Sequence, residues 1–272
     1  MKPNISTLLF TCTFLVGLLF LEPAASQNCN CGCDMCCSQY GYCGTESAYC
    51  GKGCQGSPCS RPPPSNNAYI PGIVTASFFK RIVDKSARRC SGRGFYTRDA
   101  FLKAIKVYPR FGRTGSIADS KREIVAFFAH VTHETGHFCY KEEINGHSRN
   151  YCDKSQTRYP CNPKKGYYGR GPLQLTWNYN YGKAGKSLRF DGLNNPDIVA
   201  RDPVVSFKTA LWFWMNNVHP GFTSGKGFGA TIRAINGGEC NGNSPTVVNS
   251  RVSYYTAYCK QFGVPAGKKL RC

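Results

Sequence analysis

The stretch FFAHVTHETGHFCYKEEINGH, Phe127 to His147, holds residues for two different chemistries. Its core, His133-Glu134-Thr135-Gly136-His137, spells H-E-x-x-H, in which two histidines one helical turn apart hold zinc and the glutamate acts as base. The same stretch carries three carboxylates, Glu134, Glu142 and Glu143, from which an acid–base pair can be drawn. On a helix, Phe127, Val131 and Glu134 stand in an i, i+4, i+7 relation and share one face. A carboxylate that ends an apolar stripe is partly desolvated, which raises its pKa and equips it to donate a proton near neutral pH. The metal reading is weaker. Gly136 falls inside the supposed ligand helix, at a cost of about 1 kcal/mol, and no third histidine follows at the H-E-x-x-H-x-x-G-x-x-H spacing. Catalytic zinc takes three protein ligands, and His147 would have to be improvised as the third. Neither a metal nor another cofactor is expected.

These side chains need a helical scaffold, and the sequence supplies one. Thr75 to Asp84 has apolar residues at helical spacing, and Thr97 is placed to cap a second helix through FLKAIKV. Ser120-Lys121-Arg122-Glu123 reads as a capping box before IVAFFAHVTHE. Asp202-Pro203 opens a helix through VVSFKTALWFWM, apolar nearly all round and hence a central core helix. Strand signals are short and glycine-rich loops are many. The reading is an α-rich domain with long loops over residues 69–272, of one-domain size.

The first 26 residues combine a basic start at Lys2, an apolar run from Leu8 to Leu21 and small residues at Ala24 and Ser26. That is the pattern of a secretory signal peptide cut before Gln27. The run is too short to favour a retained membrane span, and nothing later is apolar for long enough to cross a bilayer. Seventeen cysteines in 272 residues suit an exported, extracellular chain, and Cys12 would leave with the signal. The net charge of +20 lies beyond residue 61, since 27–61 carries only Lys52 and Arg61 against Asp34 and Glu46. A basic surface can mark phosphate binding, but export removes most such partners and no nucleic-acid motif is present, so no nucleic acid is expected.

Residues 27–59 crowd nine cysteines into a segment too small to fold on apolar burial alone. It has no histidine and does not repeat C-x-x-C pairs, which favours disulfides over zinc. Cys29, Cys31, Cys36, Cys37, Cys43, Cys50, Cys54 and Cys59, with Ser38 after the adjacent pair, resemble the eight-cysteine frame of the hevein-like chitin-binding domain. The resemblance implies that Ser38, Tyr40, Tyr42 and Tyr49 bind N-acetylglucosamine units, flat aromatic faces lying on sugar rings while a hydroxyl holds the acetamide. Cys33 has no place in that frame and is either a free thiol or a partner in altered pairing. Three prolines in SRPPPSNNA, residues 60–68, then make an extended tether between modules expected to move independently.

The larger segment resembles a family 19 glycoside hydrolase, a plant-type chitinase most similar to the class IV group. The pieces that carry the resemblance are HETGHFCY, YYGRGPLQLTWNYNYG from Tyr167 to Gly182, and INGGEC from Ile235 to Cys240. It implies a lysozyme-like α+β fold. Position by position it implies Glu134 as general acid, Glu143 as general base and Thr176 as the hydroxyl that helps hold the attacking water. Spacing alone does not separate Glu143 from Glu142. Gln174, Asn180 and Asn236 match substrate-positioning amides, and Arg251 matches a basic residue supporting the base's charge. Tyr159 falls where relatives place a tryptophan near the sugar, or is an ordinary loop aromatic; His133 and His137 line the site or pack beside it. The implied disulfides are Cys90–Cys139, Cys152–Cys161 and Cys240–Cys272, with Cys259 single and no vacuolar extension after Cys272.

The expectation is therefore a secreted, monomeric endochitinase that cuts internal β-1,4 bonds of chitin and chito-oligosaccharides with inversion, in defence against fungi. A chitin-binding lectin on an inactive scaffold is the alternative, and it would yield no new reducing ends. The positive charge has no explanation in neutral chitin and suits acidic polymers of a fungal cell wall or anionic membranes.

Overall fold

The computed structural model describes residues 36–39, 42–44, 46–51, 54 and 65–272. The chain divides into two compact units, 1–59 and 60–272. In the small unit, β1 (Cys36–Cys37) pairs antiparallel with β2 (Cys43–Gly44), and α1 (Ser47–Cys50) follows. The Cys36–Cys50 disulfide ties α1 to β1. Ser38 is buried, and its Oγ accepts from the Tyr42 N–H at 3.2 Å, while the Tyr42 ring is exposed. Tyr49 lies against Gly44, where a Cβ would come within 2.4 Å of its ring. Tyr40, Cys29, Cys31, Cys33, Cys59 and the proline run lie outside the described residues.

The larger unit is built of helices. α2 (Ile70–Ile73) leads to α3 (Ala76–Val83), started by Thr75 accepting from Phe78 N–H, and α4 (Arg98–Ala104) is started in the same way by Thr97 and Ala100 N–H. α5 (Ile117–Thr135) begins one turn earlier than the sequence suggests. Ser116 and Asp119 form its capping box, each side chain accepting from the other's backbone N–H. The two S-x-x-acid patterns overlap, and burial decides between them: Ser120 and Glu123, the expected box, are both sequestered inside the fold. Glu123 there accepts from Trp214 Nε1 at 2.9 Å and from Gly112 N–H at 3.0 Å.

Beyond the central loops come α6 (Asn178–Leu188), α7 (Ile198–Arg201) and α8 (Pro203–Phe213), the last capped by Asp202, which accepts from Val204 and Val205 N–H. A π-helical turn and the short α9 (His219–Gly221) lead to α10 (Phe228–Asn236) and α11 (Pro245–Gln261). Phe78, Phe101, Phe127, Phe128 and Phe207 interlock around α5 as the main core. Each buried phenylalanine contributes about 1.5–3 kcal/mol. A smaller core gathers Tyr167, Leu175, Tyr181 and Val199, and α8 serves both, Phe207 and Leu211 in one and Trp212 in the other. That is the central helix its composition predicts.

The β content of this unit, among the described residues, is three isolated bridges, two of them joining Arg170 to Glu142 and to Leu175. Cys90–Cys139, Cys152–Cys161 and Cys240–Cys272 are disulfides, and Cys259 is free and buried. The end of the expected tether is packed on the larger unit. Ser65 bridges Thr114, and Asn66 Nδ2 donates to Gly115 O at 2.7 Å and Ser120 Oγ at 2.9 Å, so 65–68 are held at the start of α5. Among the described residues no helix is long and apolar enough to cross a membrane.

Candidate active site

Glu134 stands in the last turn of α5, which stops at Gly136 with φ of 57°. His137 and Phe138 keep positive φ, and Thr135 locks the turn, its Oγ1 donating to Val131 O and accepting from Phe138 N–H. Gly136 is thus the terminator of the helix and not a residue within it. This changes the H-E-x-x-H pattern: His137 lies beyond the stop, so the two histidines do not share a turn of one helix. His137 packs edge-on against Tyr254 at 5.2 Å. His133, for which lining the site and packing beside it were both open, sets Nδ1 3.3 Å from Ser250 Oγ of α11. Burial first and Arg251 second push its pKa down to about 4, so it is neutral.

The Glu134 side chain is 17 % exposed and meets Arg251 Nη2 at 2.6 Å. Arg251, itself 1 % exposed, also grips Glu239 with two bonds of 2.7 Å from Nε and Nη2. Asn236 Nδ2 donates to Glu239 Oε1 at 2.8 Å. Burial raises the pKa of Glu134; Arg251 opposes the rise and Glu239 adds to it, and the net shift is upward. The role expected of Arg251 therefore needs correction. Because α11 packs along α5, its guanidinium reaches Glu134 and Glu239, whereas the carboxylate of Glu143 is held by other groups.

Glu143 comes from the loop after Cys139. Its Oε1 accepts from Tyr151 OH at 2.8 Å and lies 3.4 Å from Arg149 Nε, and its Oε2 accepts from Gly169 N–H at 3.2 Å. Glu142 looks the other way chemically. Its Oε1 takes Arg170 Nε at 3.0 Å and Tyr168 OH at 3.2 Å. Arg170 is fully buried, bonded also to Asp197 and to Tyr181 OH. Glu142 thus clamps the 167–175 loop, while Glu143 has a hydroxyl, a backbone donor and a surface arginine around it.

A cleft of about 690 Å³ is lined by Glu134, Glu142 and Glu143 together with Gln174, Thr176, Asn180 and Asn236, so it is the partners of Glu142, not its place, that set it apart from Glu143. Gln174, Thr176 and Asn180 are tied to the same loop. Gln174, at φ of 48°, donates to Gly171 O; Thr176 Oγ1 donates to Gln174 O; Asn180 Nδ2 donates to Thr176 O. Tyr159 is not at the cleft. Its ring fills the space left by Gly182, where a Cβ would come within 2.3 Å. The aromatic surface of the cleft comes instead from Tyr140, Tyr151, Trp177 and Phe213, none of which the sequence singled out as a site residue. Trp177 is 37 % exposed and held at φ of 76°, with Tyr151 edge-on at 5.3 Å and Tyr179 stacked at 6.2 Å. Its place in the quoted TWNYNYG segment was the available signal.

A helical core around one acid-bearing helix, with a desolvated carboxylate and, across the same cleft, one among polar donors that is not tied into a buried arginine, is a glycosidase arrangement. The family described as "Chitinase class I" matches residues 73–225, and that described as "Chitin recognition protein" matches 23–59. The chain belongs to glycoside hydrolase family 19, with an N-terminal chitin-recognition module. It is similar to Endochitinase EP3 of Arabidopsis thaliana, 57% identical over 274 residues with 100% of both chains covered. Chitinase 5 of Oryza sativa subsp. japonica is 54% identical over 264 residues, 92% of this chain and 91% of the other. Among solved structures, the family GH19, class IV chitinase from Zea mays superposes with a TM-score of 0.71 at 56% identity, covering 74% of this chain and 98% of that one.

Proposed function

We propose that this chain is a secreted endochitinase that hydrolyses internal β-1,4 bonds between N-acetylglucosamine units with inversion, in defence against fungi. The observation that carries the reading is the contrast between two carboxylates on one cleft: Glu134 desolvated with a raised pKa, Glu143 among polar donors. Glu134 protonates the glycosidic oxygen as the bond breaks. Glu143 takes a proton from water, which attacks the opposite face of the sugar, with Thr176 helping to hold that water. An inverting pair needs roughly 6.5–9.5 Å between its carboxyl groups to leave room for the water. Gln174, Asn180 and Asn236 position the acetamides and hydroxyls. Ser38, Tyr42 and Tyr49 support docking of the small module on insoluble chitin, which raises the local substrate concentration for the larger one.

Hydrolysis of a chitin hexamer followed by NMR at early times tests this. New reducing ends should appear first as the α-anomer. No cleavage by folded protein would end the reading, and early β-anomer would end the inverting mechanism. The exposed face of Trp177 offers a platform for a sugar ring. Trp177→Ala should raise KM for the hexamer roughly tenfold with kcat little changed, the mark of binding shared by ground and transition states. An unchanged KM would remove Trp177 from the substrate path.

A further inference from the structure

His130 lies one turn before Glu134 on α5 and is fully buried. Its Nδ1 is 3.2 Å from Arg251 Nη1, and its Nε2 is 2.7 Å from Thr231 Oγ1. An arginine can only donate, so Nδ1 must offer a lone pair, and the ring proton must sit on Nε2. Thr231 Oγ1 can receive that proton, because its own hydrogen goes to Phe228 O at 2.6 Å. Each link fixes the next, from a backbone carbonyl in α10 to the guanidinium that holds Glu134. The ring is also stacked on Phe228 at 4.9 Å, which in turn stacks on Tyr255 at 4.1 Å.

We propose that neutral His130, as the Nε2–H tautomer, is a positioning residue for hydrolysis: it accepts from Arg251 Nη1 and so sets the plane in which Nη2 meets Glu134. Arg251 makes two bonds to Glu239 and one to Glu134 along the other edges of its guanidinium. His130 supplies the remaining acceptor at Nη1; without it a buried donor is left unpaired and the group is free to tilt toward Glu239. A protonated His130 would set a cation against Arg251, and burial together with Arg251 holds its pKa well below the ordinary histidine value. The charged or titratable groups around the ring and Glu134 are Arg251 from α11, Glu239 from the turn after α10, and His133 on α5. The faces contributed by Thr231, Phe228 and Trp214 do not titrate.

Two variants of the full chain separate this role from packing. His130→Phe keeps the ring volume and the stack on Phe228 but removes the acceptor. It should lower kcat roughly tenfold to a hundredfold with KM nearly unchanged, the scale of a small misplacement of a reacting group. The alkaline limb of the pH profile should also move to higher pH, since Glu134 loses the influence that lowers its pKa. His130→Asn loses the stack but keeps an acceptor atom in the place of Nδ1, and should restore the position of that limb. The reverse pattern, Phe tolerated and Asn impaired, would overturn the proposal in favour of packing alone. Should His130→Phe not fold, ¹⁵N NMR of the wild type still decides: Nδ1 must be unprotonated at neutral pH, and an Nδ1–H tautomer sinks the idea. The proposal rests on Glu134 as proton donor, so Glu134→Gln is measured beside these. Retained hydrolysis there overturns both readings, whereas a dead Glu134→Gln with an unaffected His130→Phe overturns this one alone.

Discussion

Glu134→Gln should lower kcat on a chitin hexamer by about 10²–10⁴-fold, the range contributed by a positioned general acid. The fold should survive the change. Glutamine has nearly the same shape, its carbonyl can still accept from Arg251 Nη2, and a neutral amide in this desolvated place removes a buried charge. The loss should therefore appear in kcat with unchanged binding of the oligomer. The pH profile carries a second signature. A general acid works only while protonated, and burial raises the pKa of Glu134, so wild-type activity should persist above the ordinary carboxylate range and fall as pH rises through the raised value. Residual activity of the variant should lack that limb. Glu143→Gln should be comparably inactive, and Glu142→Gln should not, because Glu142 serves Arg170 and Arg170 retains Asp197. An inactive Glu142→Gln with an active Glu143→Gln would reverse the assignment of the base.

How much of this was legible in the sequence followed the range of the interactions involved. Thr75, Thr97 and Asp202 cap helices through bonds spanning two or three residues, so local pattern suffices to find them. The desolvation of Glu134 was legible for the same reason, since Phe127 and Val131 lie on its own helix. The start of α5 was not, because Ser116 and Ser120 both open capping patterns and only the tertiary burial of Ser120 and Glu123 chooses between them. The zinc pattern fails at a single residue: a glycine just past a helix reads equally as a costly interior residue or as the left-handed stop that it is. Arg251 shows the limit most clearly. Its partners are Glu134 and Glu239, the first 117 positions away, and motif matching placed it beside the wrong carboxylate. The difference between Glu142 and Glu143 likewise depends on the return of the 166–170 segment, which brings Arg170 to one and the Gly169 N–H to the other.

Replacing Arg251 with methionine should be the most destabilising single change near the site, by about 3–5 kcal/mol, the cost of stranding the partner charges of a buried ion pair. Two carboxylates lose their counter-charge at once, Glu134 and Glu239. The loss should depend on pH, and its sign follows from Glu134. A carboxyl whose folded pKa exceeds its unfolded value favours the native state while protonated, and that contribution is lost as pH rises through the folded pKa. Arg251 is the influence that lowers this pKa, so its removal raises it further. Arg251→Met should thus stand closest to wild type in acid, where Glu134 can be neutral, and fall progressively behind as pH increases. Denaturant melts in acid, neutral and mildly alkaline buffer would show this, and an equal deficit at all three would mean that packing, not charge, accounts for the loss. Arg251→Met combined with Glu239→Gln should recover part of the stability by removing one stranded charge, yet remain impaired in hydrolysis, because nothing is left to orient Glu134.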